Sequence, residues 1–380
     1  MRFEELYRRQ QVGRLTQEEM AEVLNIDVRT ARRWTRRFED EGLDGLIDRR
    51  IGQISNRRAP VDQVMRVETL YRERYTGFNA KHFHEKLTEV HHVERSYTWT
   101  KRVLQRAGLI SKAKRRGAHR KRRERRALVG MMLHQDASRH PWLAGEQCDL
   151  IVTMDDADNT IYSAFLVEEE GTMSSFLGVA EVIERHGLFS SLYVDRGSHY
   201  FTTPKAGSKV DKHNPTQFHR AMNQLGIELI AAYSPEARGR SERMFRTLQD
   251  RLPKELALAG ITTREAANRF LRTRYLPAHN RRFCISAAEP GTAFVPFIGA
   301  GIADILCVQE ARTVANDNTV RYGSRILQIP AHNHRCHYVR AQVRVHEYPD
   351  STLAVFHGPR CLARYSPRGE LLKIKTKQTA

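Results

Sequence analysis

The stretch DLIVTMDDADNTIYSAFLV, residues 149–167, decides the fold class. Two apolar runs rich in β-branched residues, 149–154 and 160–167, flank the turn formers Asp155, Asp156, Ala157, Asp158 and Asn159. That arrangement predicts a β-hairpin, and the three aspartates read as turn residues. Just upstream, 131–136 is a further strand ending in Asp136. Downstream, Phe176, Val179, Ala180 and Ile183 share one face of a helix over 174–186. A fourth strand at 192–194, a helix at 216–225 and a fifth strand at 227–233 follow. The long helix expected over 236–258 contains Pro253, which should kink or break it. Three antiparallel strands followed by strand, helix, strand and helix give the ribonuclease H-like order, an α/β core placed at 129–300.

Ahead of this core the pattern is helical. Thr16-Gln17-Glu18-Glu19 is a capping box opening a helix with Met20, Val23 and Leu24 on one face. Asp27 caps a second helix to about Phe38, with Ala31, Trp34 and Phe38 inward and Arg29, Arg32, Arg33, Arg36 and Arg37 on the other sides. Two short helices joined by a tight turn, the second arginine-rich, predict an all-α helix-turn-helix domain at 1–50. A second helical DNA-binding domain is placed at 60–110, where a plain spacer bundle is the competing reading and His82, His84, His91 and His92 read as surface residues. The segment 112–126 holds ten Lys/Arg with only Glu124 opposing, which marks 111–128 as a basic linker. Beyond the core, four short strands at 319–322, 326–329, 341–346 and 353–357 predict a small β-barrel over 304–372.

Composition narrows the partners. Lys and Arg outnumber Asp and Glu by 63 to 44 in 380 residues, a net charge of +19 that favours a polyanion, nucleic acid above all. The scattered cysteines, without a CxxC pair, suit a reducing compartment and argue against a disulfide framework or zinc ribbon. The His332–Cys336–His337 cluster lacks the paired half that a zinc site needs. No secretory signal or membrane span is legible, so the expected location is the cytoplasm.

Three acids fall where the core would gather them: Asp136 ending the first strand, Asp195 ending the fourth, and Glu242 early in the long helix. Three hard oxygen donors at one point suit two Mg²⁺ or Mn²⁺ ions and in-line phosphodiester transfer. Arg238, Arg240, Arg243 and Arg246 surround Glu242 with cations able to hold phosphates. By contrast, Glu168-Glu169-Glu170 reads as a solvated strand end, and Asn280 as either a DNA contact or a turn cap. The HxD at 134–136, DxGSxY at 195–200 and SPxARGRxER at 234–243 resemble the integrase-type catalytic core of bacterial insertion-sequence DDE transposases, the ISNCY subgroup in overall layout. The resemblance implies that Asp136, Asp195 and Glu242 are that family's Asp, Asp and Glu. It also implies a DNA-bridged homo-oligomer acting on the ends of a mobile element and on target DNA. The 46 residues between Asp195 and Glu242 exceed the spacing of the best-known relatives, and the polar stretch 204–214 reads as the inserted loop. The alternative of another class is a noncatalytic DNA-binding regulator on an integrase scaffold. A ribonuclease H-like nuclease that cuts without joining is a third reading.

Overall fold

The computed structural model describes residues 2–49, 51–52, 58–112, 123–143, 145–203, 210–211, 214–233, 239–299, 301–331 and 335–372. The chain divides into two compact units, Met1–Tyr75 and Thr76–Ala380. The division falls between the helices of the 60–110 segment.

The first unit holds α1 (Arg2–Gln11), α2 (Gln17–Leu24), α3 (Val28–Glu41), a 3₁₀ turn at Gly42–Leu46 and α4 (Val61–Arg74). The capping box forms as the sequence predicts. The Glu19 amide donates to Thr16 Oγ1 at 3.2 Å, and the Thr16 amide donates to Glu19 Oε2 at 2.7 Å. Asn25 takes φ 52° to end α2, and Asp27 Oδ1 accepts the Arg29 amide at 2.9 Å to start α3. Phe3, Leu6 and Met20 form the core, with Trp34 and Phe38 packed against it. Val23, expected on the inner face of α2, is exposed instead.

The second unit opens with α5 (Ala80–Glu89) and α6 (Tyr97–Arg106) and then builds a five-stranded sheet. Its strands are β1 (Leu133–Leu143), β2 (Glu146–Asp155), β3 (Ile161–Val167), β4 (Ser191–Val194) and β5 (Glu228–Ala231), in the order β3-β2-β1-β4-β5. β2 is antiparallel to both β1 and β3, whereas β4 runs parallel to both β1 and β5. This is the strand order predicted for the core. α7 (Thr172–His186) and α8 (Gln217–Leu225) cover one face, packing Phe176, Val179 and Phe218 with Leu133 and Leu192. The other face is covered by α9 (Gly239–Leu258), α10 (Arg264–Phe270) and α11 (Leu276–Phe283), which join Leu248, Leu252 and Leu271 to Leu150, Val152 and Ala164. α9 continues through Pro253 without the break that was one of the two outcomes expected there.

A π turn at Leu271–Tyr275 links α10 to α11 and has a structural purpose. Asn268 pairs with both backbone groups of Leu166, and Asn280 with both of Ile161. β3 is the edge of the sheet, and these two amides satisfy it in place of a sixth strand. Asn280 therefore bonds to backbone, and is neither of the two options its sequence left open. The two asparagines are twelve residues apart, whereas an α-helix regains the same face after about eleven. The wider π turn absorbs the extra residue.

After α12 (Ile302–Ile305), a second sheet runs β12 (Leu371–Leu372), β11 (Arg360–Tyr365), β10 (Leu353–His357), β9 (Gln342–Glu347) and β6 (Val308–Thr313). β7 (Thr319–Tyr322) and β8 (Arg325–Gln328) form a separate hairpin. The expected closed barrel is not formed among the described residues. The edge strands β12 and β6 do not pair, and β12 is only two residues long. The sheet is tied to α8, where Arg220 donates to the carbonyls of Ile305 and Cys307 at 3.0 and 2.6 Å.

Candidate active site

β1 and β4 pair with Leu133 opposite Leu192 and His134 opposite Tyr193. The printed pairing ends there, and Asp136 and Asp195 each lie two residues further along their chains, with both charges acting on Tyr200. Both side chains are half-buried. Asp195 Oδ1 accepts the Gly197 amide at 2.8 Å, and a Cβ on Gly197 would stand 2.9 Å from that same oxygen. The glycine of the DxGSxY segment is thus dictated by the carboxylate two residues before it.

Beneath the pair lies a buried polar network that the sequence did not reveal. Tyr200 Oη donates to Gln135 Oε1 at 3.2 Å or Glu170 Oε1 at 3.4 Å, and Ser175 Oγ donates to Tyr200 at 3.1 Å. Burial, followed by the charges of Glu170, Asp195 and Asp136, raises the Tyr200 pKa well above its ordinary value, so the phenol stays a donor. Glu170 is accordingly part of the surroundings of the acids, not the solvated strand end expected of it. Gly178 lets α7 lie close, since a Cβ there would meet Gln135 Nε2 at 2.5 Å.

The third acid stands on α9, in its first turn, and Glu242 is exposed. Gln249 donates to Ser138 Oγ at 2.9 Å, while Arg240 reaches Asp156, which accepts from His134. From 240 to 249 the helix advances about 13.5 Å, and from 134 to 138 the strand advances about 13 Å. α9 therefore runs beside β1 over the interval that holds both Asp136 and Glu242. No group of three or more His, Cys, Asp or Glu close enough to hold a metal ion occurs among the described residues. Asp136 does not end its strand as expected, because β1 continues to Leu143, whereas Asp195 directly follows the end of β4 at Val194.

Of the aspartates in the 155–159 turn, Asp158 has the expected turn role, accepting the Thr160 amide at 2.7 Å, whereas Asp155 and Asp156 are more than turn residues. Asp155 and Asp156 have no exposed surface. Burial, then the neighbouring Asp158, pushes the Asp155 carboxyl up to about 6 despite hydrogen bonds from the Gly130 and Ala157 amides. Burial would also raise Asp156, but bonds from His134 and the Arg126 amide, with the charge of Arg240, outweigh it and hold Asp156 ionised. Arg123 bonds Asp156 at 2.5 Å, and Arg125 donates to its carbonyl at 2.7 Å.

The proposed DNA-contacting arginines separate accordingly. Arg29, Arg32, Arg33 and Arg36 are exposed on α3, with Arg37 half-buried. Arg243 and Arg246 are exposed on α9. Arg240 is instead mostly buried against Asp156. Arg238, and most of the 204–214 stretch and of the basic linker, lie outside the described residues. So do residues 332–334 of the histidine cluster. Of the four histidines at 82–92, His82 is buried, its Nε2 2.6 Å from Glu255, because α5 packs onto α9. No helix among the described residues is long and apolar enough to cross a membrane.

Residues 6–53 match a helix-turn-helix domain family. The chain is 32% identical over 347 residues to the putative transposase y4bF of Sinorhizobium fredii, covering 90% of this chain and 75% of that protein. It is 35% identical over 162 residues to the transposase for insertion sequence IS1202 of Streptococcus pneumoniae, covering 42% of this chain and 34% of the relative. A distant likeness extends to the HTLV-2 integrase catalytic core domain, with a TM-score of 0.30 and 14% identity over 38% of this chain and 85% of that one. With that putative transposase aligned across nine-tenths of this chain and three-quarters of its own length, the chain belongs to the transposase family.

Proposed function

We propose that this transposase binds the ends of its mobile element through the front helical domains, cleaves the 3′ strands and joins them to target DNA. The observation that supports the reading is the parallel pairing of β1 with β4, Leu133 with Leu192 and His134 with Tyr193, from which Asp136 and Asp195 each lie two residues on, while α9 bears Glu242 in its first turn. The donor set fits a hard divalent cation, because all three side chains offer carboxylate oxygen. Two Mg²⁺ or Mn²⁺ ions held by Asp136, Asp195 and Glu242 would supply charge stabilisation and an activated nucleophile for in-line displacement. The chain's own part is to hold the carboxylates ionised and fixed. Gly197 orients Asp195 through its amide, and Tyr200 and Gln135 lock the strand behind Asp136. Arg243 and Arg246 present exposed cations to the phosphate backbone. Cutting two ends in concert requires at least two such sites, hence a homo-oligomer assembled on DNA in the bacterial cytoplasm. The domains assigned are 1–50 and 60–110 for DNA, 129–300 for chemistry and 304–372 for assembly or DNA contact.

The test is strand cleavage and joining on end-bearing DNA by Asp136→Asn, Asp195→Asn and Glu242→Gln. Each keeps its shape but loses its charge, and each should lose most activity while still binding the element ends. Parent-like rates from all three would leave the noncatalytic reading in its place. EDTA should abolish the reaction, and full cleavage in metal-free buffer would refute the donor assignment.

A further inference from the structure

We propose that Asp156 is a positioning residue for Glu242, clamping the first turn of α9 and the end of the basic segment onto the strand that carries Asp136. This rests on the assignment of Asp136, Asp195 and Glu242 above.

Asp156 sits just past β2 with its own amide donating to Met132 O at 3.0 Å, so its backbone is fixed by the sheet. Its carboxylate gathers groups from three parts of the chain. His134 Nε2 lies 2.7 Å from Oδ1, and His134 precedes Asp136 by two residues on the same face of β1. Arg240 pairs with the same oxygen and precedes Glu242 by two residues. From the basic segment come the Arg123 guanidinium at 2.5 Å and the Arg126 amide at 2.8 Å. Arg240 also donates to the Arg123 carbonyl at 2.6 Å, closing the ring between helix and segment. One carboxylate thus sits two residues from the first acid's strand position and two from the third acid's helix position, through one partner each.

The charges explain why the arrangement needs an acid. A cation in the first turn of a helix opposes the macrodipole, so Arg240 is unfavourable there without a partner. Burial sharpens this, because an unpaired guanidinium in that position would have to leave. Without Asp156, Arg123 and Arg240 would face each other around a neutral histidine. The start of α9 would then lose this polar tie to β1, leaving the apolar packing of Met244 and Phe245 on the sheet and a polar tie at Gln249 and Ser138, about two turns past Glu242.

The experiment uses the full chain with Arg240→Gln, Arg240→Lys, Asp156→Asn and the double variant Asp156→Asn/Arg240→Gln. Amide hydrogen exchange over 241–246, read without DNA or metal, should quicken about tenfold in Arg240→Gln and Asp156→Asn. Cleavage of end-bearing DNA should fall by roughly a hundredfold, with half-saturation moved to higher Mg²⁺. Arg240→Lys, which keeps the charge, should recover part of both. The double variant should be no worse than the more severe single one, since both remove the same clamp. If Asp156→Asn fails to fold, Arg240→Gln decides alone, because it leaves the other partners of Asp156 in place. Parent-like exchange and Mg²⁺ dependence in Arg240→Gln would overturn the proposal. Normal cleavage by Glu242→Gln would instead overturn the triad assignment, and the exchange measurement would still judge the clamp.

Discussion

Gly197 concentrates the stereochemistry of the site into one missing methyl group. Its amide holds Asp195 Oδ1, and a Cβ would press on that oxygen from 2.9 Å. Gly197→Ala is therefore expected to displace the carboxylate and lower the cleavage rate by about tenfold or more. Gly171→Ala, where a Cβ meets nothing within 4 Å, should cleave at the parent rate. Equal rates for the two variants would show that the position of Asp195 is not set by this contact. Residues that act as one unit are not additive, so a triple Asp136→Asn/Asp195→Asn/Glu242→Gln protein should be scarcely slower than any single change.

At the scale of elements, the edge strand β3 is completed by side chains. Asn268→Ala and Asn280→Ala each strand a backbone amide and carbonyl, at Leu166 and Ile161 respectively. Each is expected to cost about 1–3 kcal/mol in denaturant unfolding. Because the sites lie at opposite ends of β3, the losses should add. A change below a few tenths of a kcal/mol would mean that water replaces the amides freely. On α3, Arg32→Ala combined with Arg36→Ala should weaken binding to the element ends by about 1–3 kcal/mol per lost base contact. Binding to random DNA should largely survive through the basic segment. Equal losses on both DNAs would reduce α3 to a phosphate clamp.

For the whole molecule, acid should act through histidines buried as neutral rings. Burial, then the charges of Arg251 and Arg282, lowers His279 to about 4. Burial also takes His346 to about 4, stacked 4.2 Å from Phe356. A depressed histidine pKa means that the unfolded chain takes the proton first. Stability is thus full above the ordinary 6.5 and is lost as pH falls from there toward 4. Each ring accounts for roughly 3 kcal/mol at the acid end of that window. Replacing both by Gln should flatten the unfolding free energy between pH 6.5 and 4, and an unchanged slope would refute this account.

The amino-acid sequence determined what is local. Period-two and helical patterns over 131–258 gave the strand order, the capping box at Thr16 and Glu19 formed as spelled, and Asp27 started α3. These features are set within a few residues by backbone hydrogen bonding and side-chain alternation. Their spacing sufficed to put Asp136 on β1 and Asp195 just past the end of β4, the strand beside it. What only the tertiary structure decided depends on distant partners. Asp155 and Asp156 look like turn residues until β1, the basic segment and α9 close over them. His82 looks like a surface residue until Glu255 arrives from 173 positions away, and Asn280 has no legible role until an edge strand lies beside it. The C-terminal strands alternate as a barrel's would, yet closure requires that the first and last strands meet, and alternation does not encode that. A buried polar group is specified by whatever satisfies it, and that partner can come from anywhere in the chain.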